Sequence, residues 1–231
     1  MRSQRIAAAT GVIYVVMTMV GSGLATGNGD PQDGATILAH LRQGRSVAET
    51  IGVTLEILGF AVFLAFLGYL YRVLRRAEGA EGWGAAVAFG AGLVTMAVKL
   101  ATSASGAAAR LHLGQLDATL ARTLNDLGGA GFVVSGYVYG IFVVAAAGSA
   151  FVSRALPRWL TLSGLVVGVL TVAAGTAGVL DPVGYVPVPF LLCLAWVLVT
   201  SVVLTVRAPR AAGMAADDAT TAVPAGFSAT A

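Results

Sequence analysis

The chain alternates long apolar runs with short polar connections. Six runs, Ile6–Ala25, Ile51–Tyr71, Trp83–Ala104, Phe132–Val152, Trp159–Leu180 and Val186–Val206, reach the length of about 20 residues that a helix needs to cross a hydrocarbon core of roughly 30 Å. None of them alternates apolar and polar residues at period two, as a membrane barrel strand would. A helix satisfies its own backbone groups inside lipid, which an open sheet cannot do. The pattern predicts an all-α polytopic membrane bundle of six transmembrane helices.

Two of the connections carry helical patterns of their own. After the first run, Asp33 is placed to cap a short helix with Ile37, Leu38 and Leu41 on one side and His40, Arg42 and Arg45 on or near the other. After the third run, Ala109, Leu113, Leu116, Leu120, Leu124 and Leu127 recur at steps of three and four, with Arg110, Asp117 and Arg122 off the stripe. The expectation is two short amphipathic helices in the outer loops, resting in the interface or packed on the bundle mouth. A lid over a cavity is the alternative. Asn125 and Asp126 then lead into Gly128, Gly129 and Gly131, read as a flexible lead-in to the fourth span.

Composition agrees with this picture. At 57% hydrophobic and 11% charged residues, the chain lies outside the range of soluble domains, which carry about 25% charge. Evenly spread spans and short connections predict one domain, residues 1–206, followed by a tail, 207–231, too poor in apolar residues to fold and expected to be disordered and cytoplasmic. Arg2 and Arg5 precede the first run, and Gly23-Leu24-Ala25 has the small-x-small form of a signal cleavage site. The run is longer than a usual signal core, so a retained helix is expected.

Charge then orients the spans. With the N-terminus inside, nine arginines fall on the cytoplasmic side (Arg2, Arg5, Arg72, Arg75, Arg76, Arg154, Arg158, Arg207, Arg210) and four outside (Arg42, Arg45, Arg110, Arg122). Positively charged residues collect on the cytoplasmic side of short loops, so both termini are expected in the cytoplasm. Trp83 and Trp159 fall at the same interface. Thirteen arginines to one lysine, with many alanines and glycines, suit a GC-rich bacterial source and hence a bacterial cell membrane. The net charge of +3 is a threading signal with no basic face of the kind nucleic acid requires.

Glu56 and Lys99 are the charges that break the rule, each lying within an apolar run. Charge inside a bilayer costs roughly 2.5–3.5 kcal/mol on insertion scales. Counted from the outer ends of spans two and three, they lie about 9 Å and about 7.5 Å deep at the helical rise. Small and polar groups share their faces: Gly52, Glu56 and Gly59 on one helix, Ala88, Gly92, Thr95, Lys99, Thr102 and Gly106 on the other. Three readings follow. They form a structural ion pair locking spans two and three; Lys99 snorkels outward while Glu56 is solvated separately; or they bind a solute or move a proton. The outer depth, off the midplane where transporter sites usually lie, favours the first.

The remaining polar and small residues are read as packing. Gly136 with Gly140, and Gly164 with Gly168, have G-x-x-x-G spacing and are expected inside the bundle, with a dimer face as the alternative. Tyr14, Tyr137 and Tyr139 are placed to donate hydrogen bonds inward. Cys193 is read as a buried apolar residue. His40 and His112 are the only histidines, both in loops. No nucleophile–base set, Walker loop, zinc motif or C-x-x-C is present, and no cofactor or metal is expected. The chain is expected to be non-enzymatic, of the solute or proton binding and transport class, with Glu56 and Lys99 as candidate binding residues. The alternative is a structural or regulatory subunit that packs through its glycine faces on another membrane protein or a second copy.

Three segments carry a resemblance: Gly29-Asp30-Pro31 in the first outer loop, Leu70-Tyr71-Arg72-Val73-Leu74-Arg75 at the end of span two, and Leu156-Pro157-Arg158-Trp159-Leu160 opening span five. With the overall layout from Ile6 to Val206, the chain resembles an uncharacterised bacterial family of six-helix membrane proteins, a domain of unknown function. The resemblance implies the same topology and supplies no catalytic residues.

Overall fold

The computed structural model describes residues 2–25, 33–79, 82–181 and 185–207. The expected tail, from residue 208 onward, and Gly29-Asp30-Pro31 lie outside the described residues. Seven α-helices follow in order: α1 (Arg2–Ala25), α2 (Gly34–Gln43), α3 (Val47–Glu78), α4 (Trp83–Leu111), α5 (Ala118–Ser153), α6 (Arg158–Leu180) and α7 (Val188–Arg207), with a short 3-10 turn at Leu113–Gln115. All except α2 are long and apolar enough to cross a membrane. The protein is a multi-pass membrane helix bundle.

The six long helices form a ring in chain order, α1 against α3, then α4, α5, α6 and α7, with α7 closing back onto α1. Six crossings bring the start of α1 and the end of α7 to one face, the terminal face. The opposite face carries α2. Helix α5 also touches α3 and α7 across the ring, so its middle is the most buried part of the molecule. Phe63, Phe66, Phe142 and Tyr139 interdigitate there with ring centroids 5.6–6.3 Å apart.

Close approach between helices depends on missing side chains. A Cβ on Gly52 would stand 2.7 Å from the Gly21 carbonyl, and one on Gly140 would stand 2.9 Å from the Gly168 carbonyl. Small residues at such crossings let backbones meet where lipid supplies no hydrophobic drive between helices. Gly140, Gly164 and Gly168 therefore pack inside the bundle. Polar side chains add stitches: Trp196 Nε1 donates to the Leu160 carbonyl at 2.8 Å. The Ser201 hydroxyl donates to the Ala8 carbonyl and accepts from Val12 N at 3.1 Å. It thus serves two α1 groups one helical turn apart.

The helix ends follow their chemistry. Asp33 caps α2 by accepting from Thr36 N at 3.2 Å. Ser46 and Glu49 form a capping box on α3: Glu49 N donates to Ser46 Oγ at 3.1 Å and Ser46 N to Glu49 Oε2 at 3.0 Å. Helix α4 lacks a side-chain cap at its left-handed Gly82 (φ 43°). Glu78, the last residue of α3, substitutes by accepting from Ala85 N at 3.1 Å.

The α2 face departs from expectation in one respect. Helix α2 appears as expected, with Ile37 and Leu38 buried and His40 and Arg42 exposed. The second amphipathic stripe is not a separate element: Ala109 ends α4, Leu113 lies in the 3-10 turn, and Leu120, Leu124 and Leu127 belong to the first turns of α5. Ile37, Leu38, Ala109, Leu116 and Ala121 close a small second core on which α2 docks. Gly128, Gly129 and Gly131 are helical, and a Cβ on Gly131 would overlap the Thr102 side chain. Gly131, and more loosely Gly128 beside Ser105, let α4 and α5 approach, while Gly129 faces open space.

Candidate functional site

The interior nearest the α2 face is lined by polar groups from four helices. Helix α1 contributes a stripe at four-residue steps, Tyr14, Thr18 and Ser22. Tyr14 and Thr18 are buried, and the Ser22 hydroxyl donates to Glu56 Oε1 at 2.6 Å. Glu56 comes from α3, lying across Gly21, where a Cβ would stand 2.9 Å from its Cγ. Helix α5 contributes Tyr139, fully buried. The Tyr14 hydroxyl lies within electrostatic reach of the Thr18 and Tyr139 hydroxyls and feels the Glu56 charge, though the three fall short of full hydrogen-bond geometry with one another. Burying a hydroxyl without a partner costs about 1–3 kcal/mol.

Lys99 reaches this region from α4, but not as expected. Among the described residues it forms no ion pair with Glu56; the ion pair there is Arg122–Asp126, and the His40 ring contacts the Glu49 carboxylate. The Lys99 Nζ instead sits among three rings: Phe190 of α7 at 4.8 Å, Phe132 of α5 at 5.1 Å and Phe60 of α3 at 6.0 Å from the centroids. Phe132 and Phe190 touch edge to face at 5.2 Å, and Phe190 meets Tyr139 at 5.5 Å. A desolvated ammonium over aromatic faces gains about 2 kcal/mol per good contact. The structural partner of Lys99 is therefore an aromatic cage, and Glu56 acts on it only through space. Depth counting matched the two charges in level; it carried no information on which way each side chain turns.

The other residues singled out from the sequence are dispersed. The Cys193 Sγ is buried 3.1 Å from Thr171 Oγ1, which also lies 3.0 Å from the Pro189 carbonyl. Tyr137 is half-buried, and its backbone packs on Gly175. His112 caps the end of α4 by its backbone alone. His40 does more than expected of a loop histidine: its Nε2 lies 3.1 Å from Glu49 Oε1, tying α2 to the start of α3. Two signals were open to sequence reasoning and went unused. One is the step of four linking Tyr14, Thr18 and Ser22; the other is Ser46-x-x-Glu49, the spacing of a capping box. No family model, curated protein or solved structure matches this chain.

Proposed function

We propose that the protein is a non-enzymatic proton-binding and proton-carrying membrane protein of the small-solute transport class, with Glu56 as the acceptor and Lys99 acting on it through space. The observation that carries this reading is the buried row of hydroxyls, Tyr139, Tyr14 and Thr18, left without completed hydrogen bonds beside Glu56 and Ser22. Phenylalanine at positions 14 and 139 would fill almost the same volume without burying a hydroxyl. Polar groups retained at that cost suit a relay in which small rotations join neighbouring hydroxyls. Dense ring packing around Tyr14, whose centroid is 4.5 Å from that of Phe63, suits a proton better than a larger solute.

The proposal places the chain in a bacterial cell membrane with both termini in the cytoplasm. Arg72, Arg75, Arg76, Arg154, Arg158 and Arg207 gather at the terminal face, and Trp83 and Trp159 are exposed there. The alternative, a subunit that packs on another membrane protein, loses its main motive because Gly140, Gly164 and Gly168 already serve contacts within the bundle.

Proteoliposomes loaded with a pH-sensitive dye test the reading. Under an imposed proton gradient with potassium and valinomycin, vesicles with the protein are expected to equilibrate at least tenfold faster than empty ones. Glu56→Gln and Tyr14→Phe are each expected to remove that flux, while Tyr14→Phe leaves the yield of folded protein equal or higher. Wild-type vesicles no leakier than empty ones would overturn it.

A further inference from the structure

The buried tyrosines meet, on α7, a group that the proton reading leaves unused. Cys193 is fully buried and is the one cysteine of the chain. It follows Phe190 by three residues, so the two share a face of α7. Phe190 packs on Tyr139 with ring centroids 5.5 Å apart. The Cys193 sulfur lies within electrostatic reach of both the Tyr139 and the Tyr14 hydroxyls. Those two hydroxyls are fully buried and without a completed hydrogen bond.

The other side of the sulfur is fixed by α6. Thr171 is 1% exposed, and its Oγ1 lies 3.1 Å from Cys193 Sγ, 2.7 Å from the Val167 carbonyl and 3.0 Å from the Pro189 carbonyl. A hydroxyl carries one hydrogen, and a carbonyl only accepts. Two carbonyls therefore compete for the Thr171 hydrogen, and both are better acceptors than sulfur. The contact with Cys193 is then made by the thiol hydrogen, which donates to a Thr171 lone pair. A thiol committed in this way turns its sulfur lone pairs away from Thr171 and meets the tyrosines as an acceptor.

Direction matters in a row of hydroxyls. Each of them both donates and accepts, so the tyrosines alone do not decide which way their hydrogens point. An acceptor at one end decides it. Tyr139 donates toward the sulfur, Tyr14 donates toward Tyr139, and the Tyr14 oxygen is left to accept from the side of Thr18 and Glu56. We propose that Cys193, aimed by Thr171, is a positioning residue that orients the tyrosine hydroxyls to receive a proton from Glu56. It takes up no proton itself and acts through Tyr139. This inference rests on the proton reading above.

The full-length protein in dye-loaded vesicles, with the same imposed proton gradient, tests it. Cys193→Ala is expected to slow the flux roughly fivefold, which at tenfold per 1.36 kcal/mol is the net worth of a typical hydrogen bond. Cys193→Ser keeps a donor and an acceptor in place and is expected to recover most of that loss; a serine variant as slow as the alanine one would reduce Cys193 to packing and overturn the inference. Thr171→Val keeps the shape of the side chain and is expected to match Cys193→Ala, with no further loss when the two are combined. It also decides the matter should Cys193→Ala fail to fold. A readout independent of flux is the infrared S–H stretching band, which in this chain belongs to Cys193 alone. It is expected to move to higher frequency in Thr171→Val, as the thiol loses its acceptor, and an unmoved band overturns the assignment. Wild-type flux that Glu56→Gln removes and Cys193→Ala leaves unchanged overturns this inference alone. Wild-type vesicles no leakier than empty ones remove the proton reading and this inference with it.

Discussion

The α2 face and the bundle interior handle polar groups in opposite ways. Around α2, Asp33, Ser46, Glu49 and His40 each have a partner at 3.0–3.2 Å. A few turns deeper, Tyr14, Thr18 and Tyr139 complete no hydrogen bond, and Lys99 is held by rings instead of by a carboxylate. At the α2 face water can serve any group left over, so polar side chains there are free to act as local caps. Inside the bundle an unpartnered polar group is costly, so it is kept where tertiary packing holds it or function requires it. Polar side chains thus stabilise helix ends in one region and line the proposed relay in the other.

The strongest way to break this comparison is to ask what holds Lys99. If the aromatic cage is its partner, Lys99→Met and Phe190→Leu share one interaction, and their effects on resistance to denaturation in mild detergent are expected to couple by about 2 kcal/mol, the worth of a desolvated cation–π contact. Lys99→Met and Glu56→Gln are expected to couple more weakly, since the two charges act on each other only through space. Strong coupling to Glu56 with none to Phe190 would restore the ion pair and refute the cage.

A smaller effect probes the other side of the comparison. Glu49 is 8% exposed and serves both the capping box and His40. Glu49→Ala is expected to cost about 1 kcal/mol, the usual worth of a lost cap, and to raise proteolysis between α2 and α3 before the bundle itself unfolds. Glu49→Gln keeps the box geometry and is expected to recover most of the loss. Loss confined to the deep helices, with the α2–α3 connection unchanged, would contradict the assignment.

These contrasts also explain how far the sequence could be read. The spans were legible because lipid imposes length and apolarity directly: the fifth run, expected at Trp159–Leu180, is α6 at Arg158–Leu180. The α2 cap was legible because Asp33 acts on a backbone amide three residues away. The extension of α5 was not. Gly128, Gly129 and Gly131 look like breakers by propensity, and only contact with α4, at Ser105 and Thr102, reveals Gly128 and Gly131 as packing positions. Of the site, Glu56, Lys99, Tyr14 and Tyr139 were singled out correctly as inward polar groups. Their arrangement was hidden because the three rings around Lys99 come from α3, α5 and α7, far apart in sequence. Only ring closure brings them together.

The smallest expected effect concerns Asp33 and depends on pH. Hydrogen bonds from the Thr36 hydroxyl, and then from the Ala35 and Thr36 amides, hold the Asp33 carboxyl below its ordinary value. The carboxylate is favoured in the folded state. Its contribution to α2 is therefore complete above the ordinary carboxyl pKa of about 3.9 and is lost as pH falls through the lower, folded value. Amide exchange at Ala35 and Thr36 in detergent micelles, corrected for the intrinsic pH dependence of exchange, is expected to lose protection only below that range. The amides of α5 packed beneath are expected to stay protected. Asp33→Asn keeps an acceptor but removes the titration, so its protection is expected to be flat across the same range. A wild-type profile that is equally flat would show that the cap owes nothing to the charge, and that α2 is held by Ile37 and Leu38 alone.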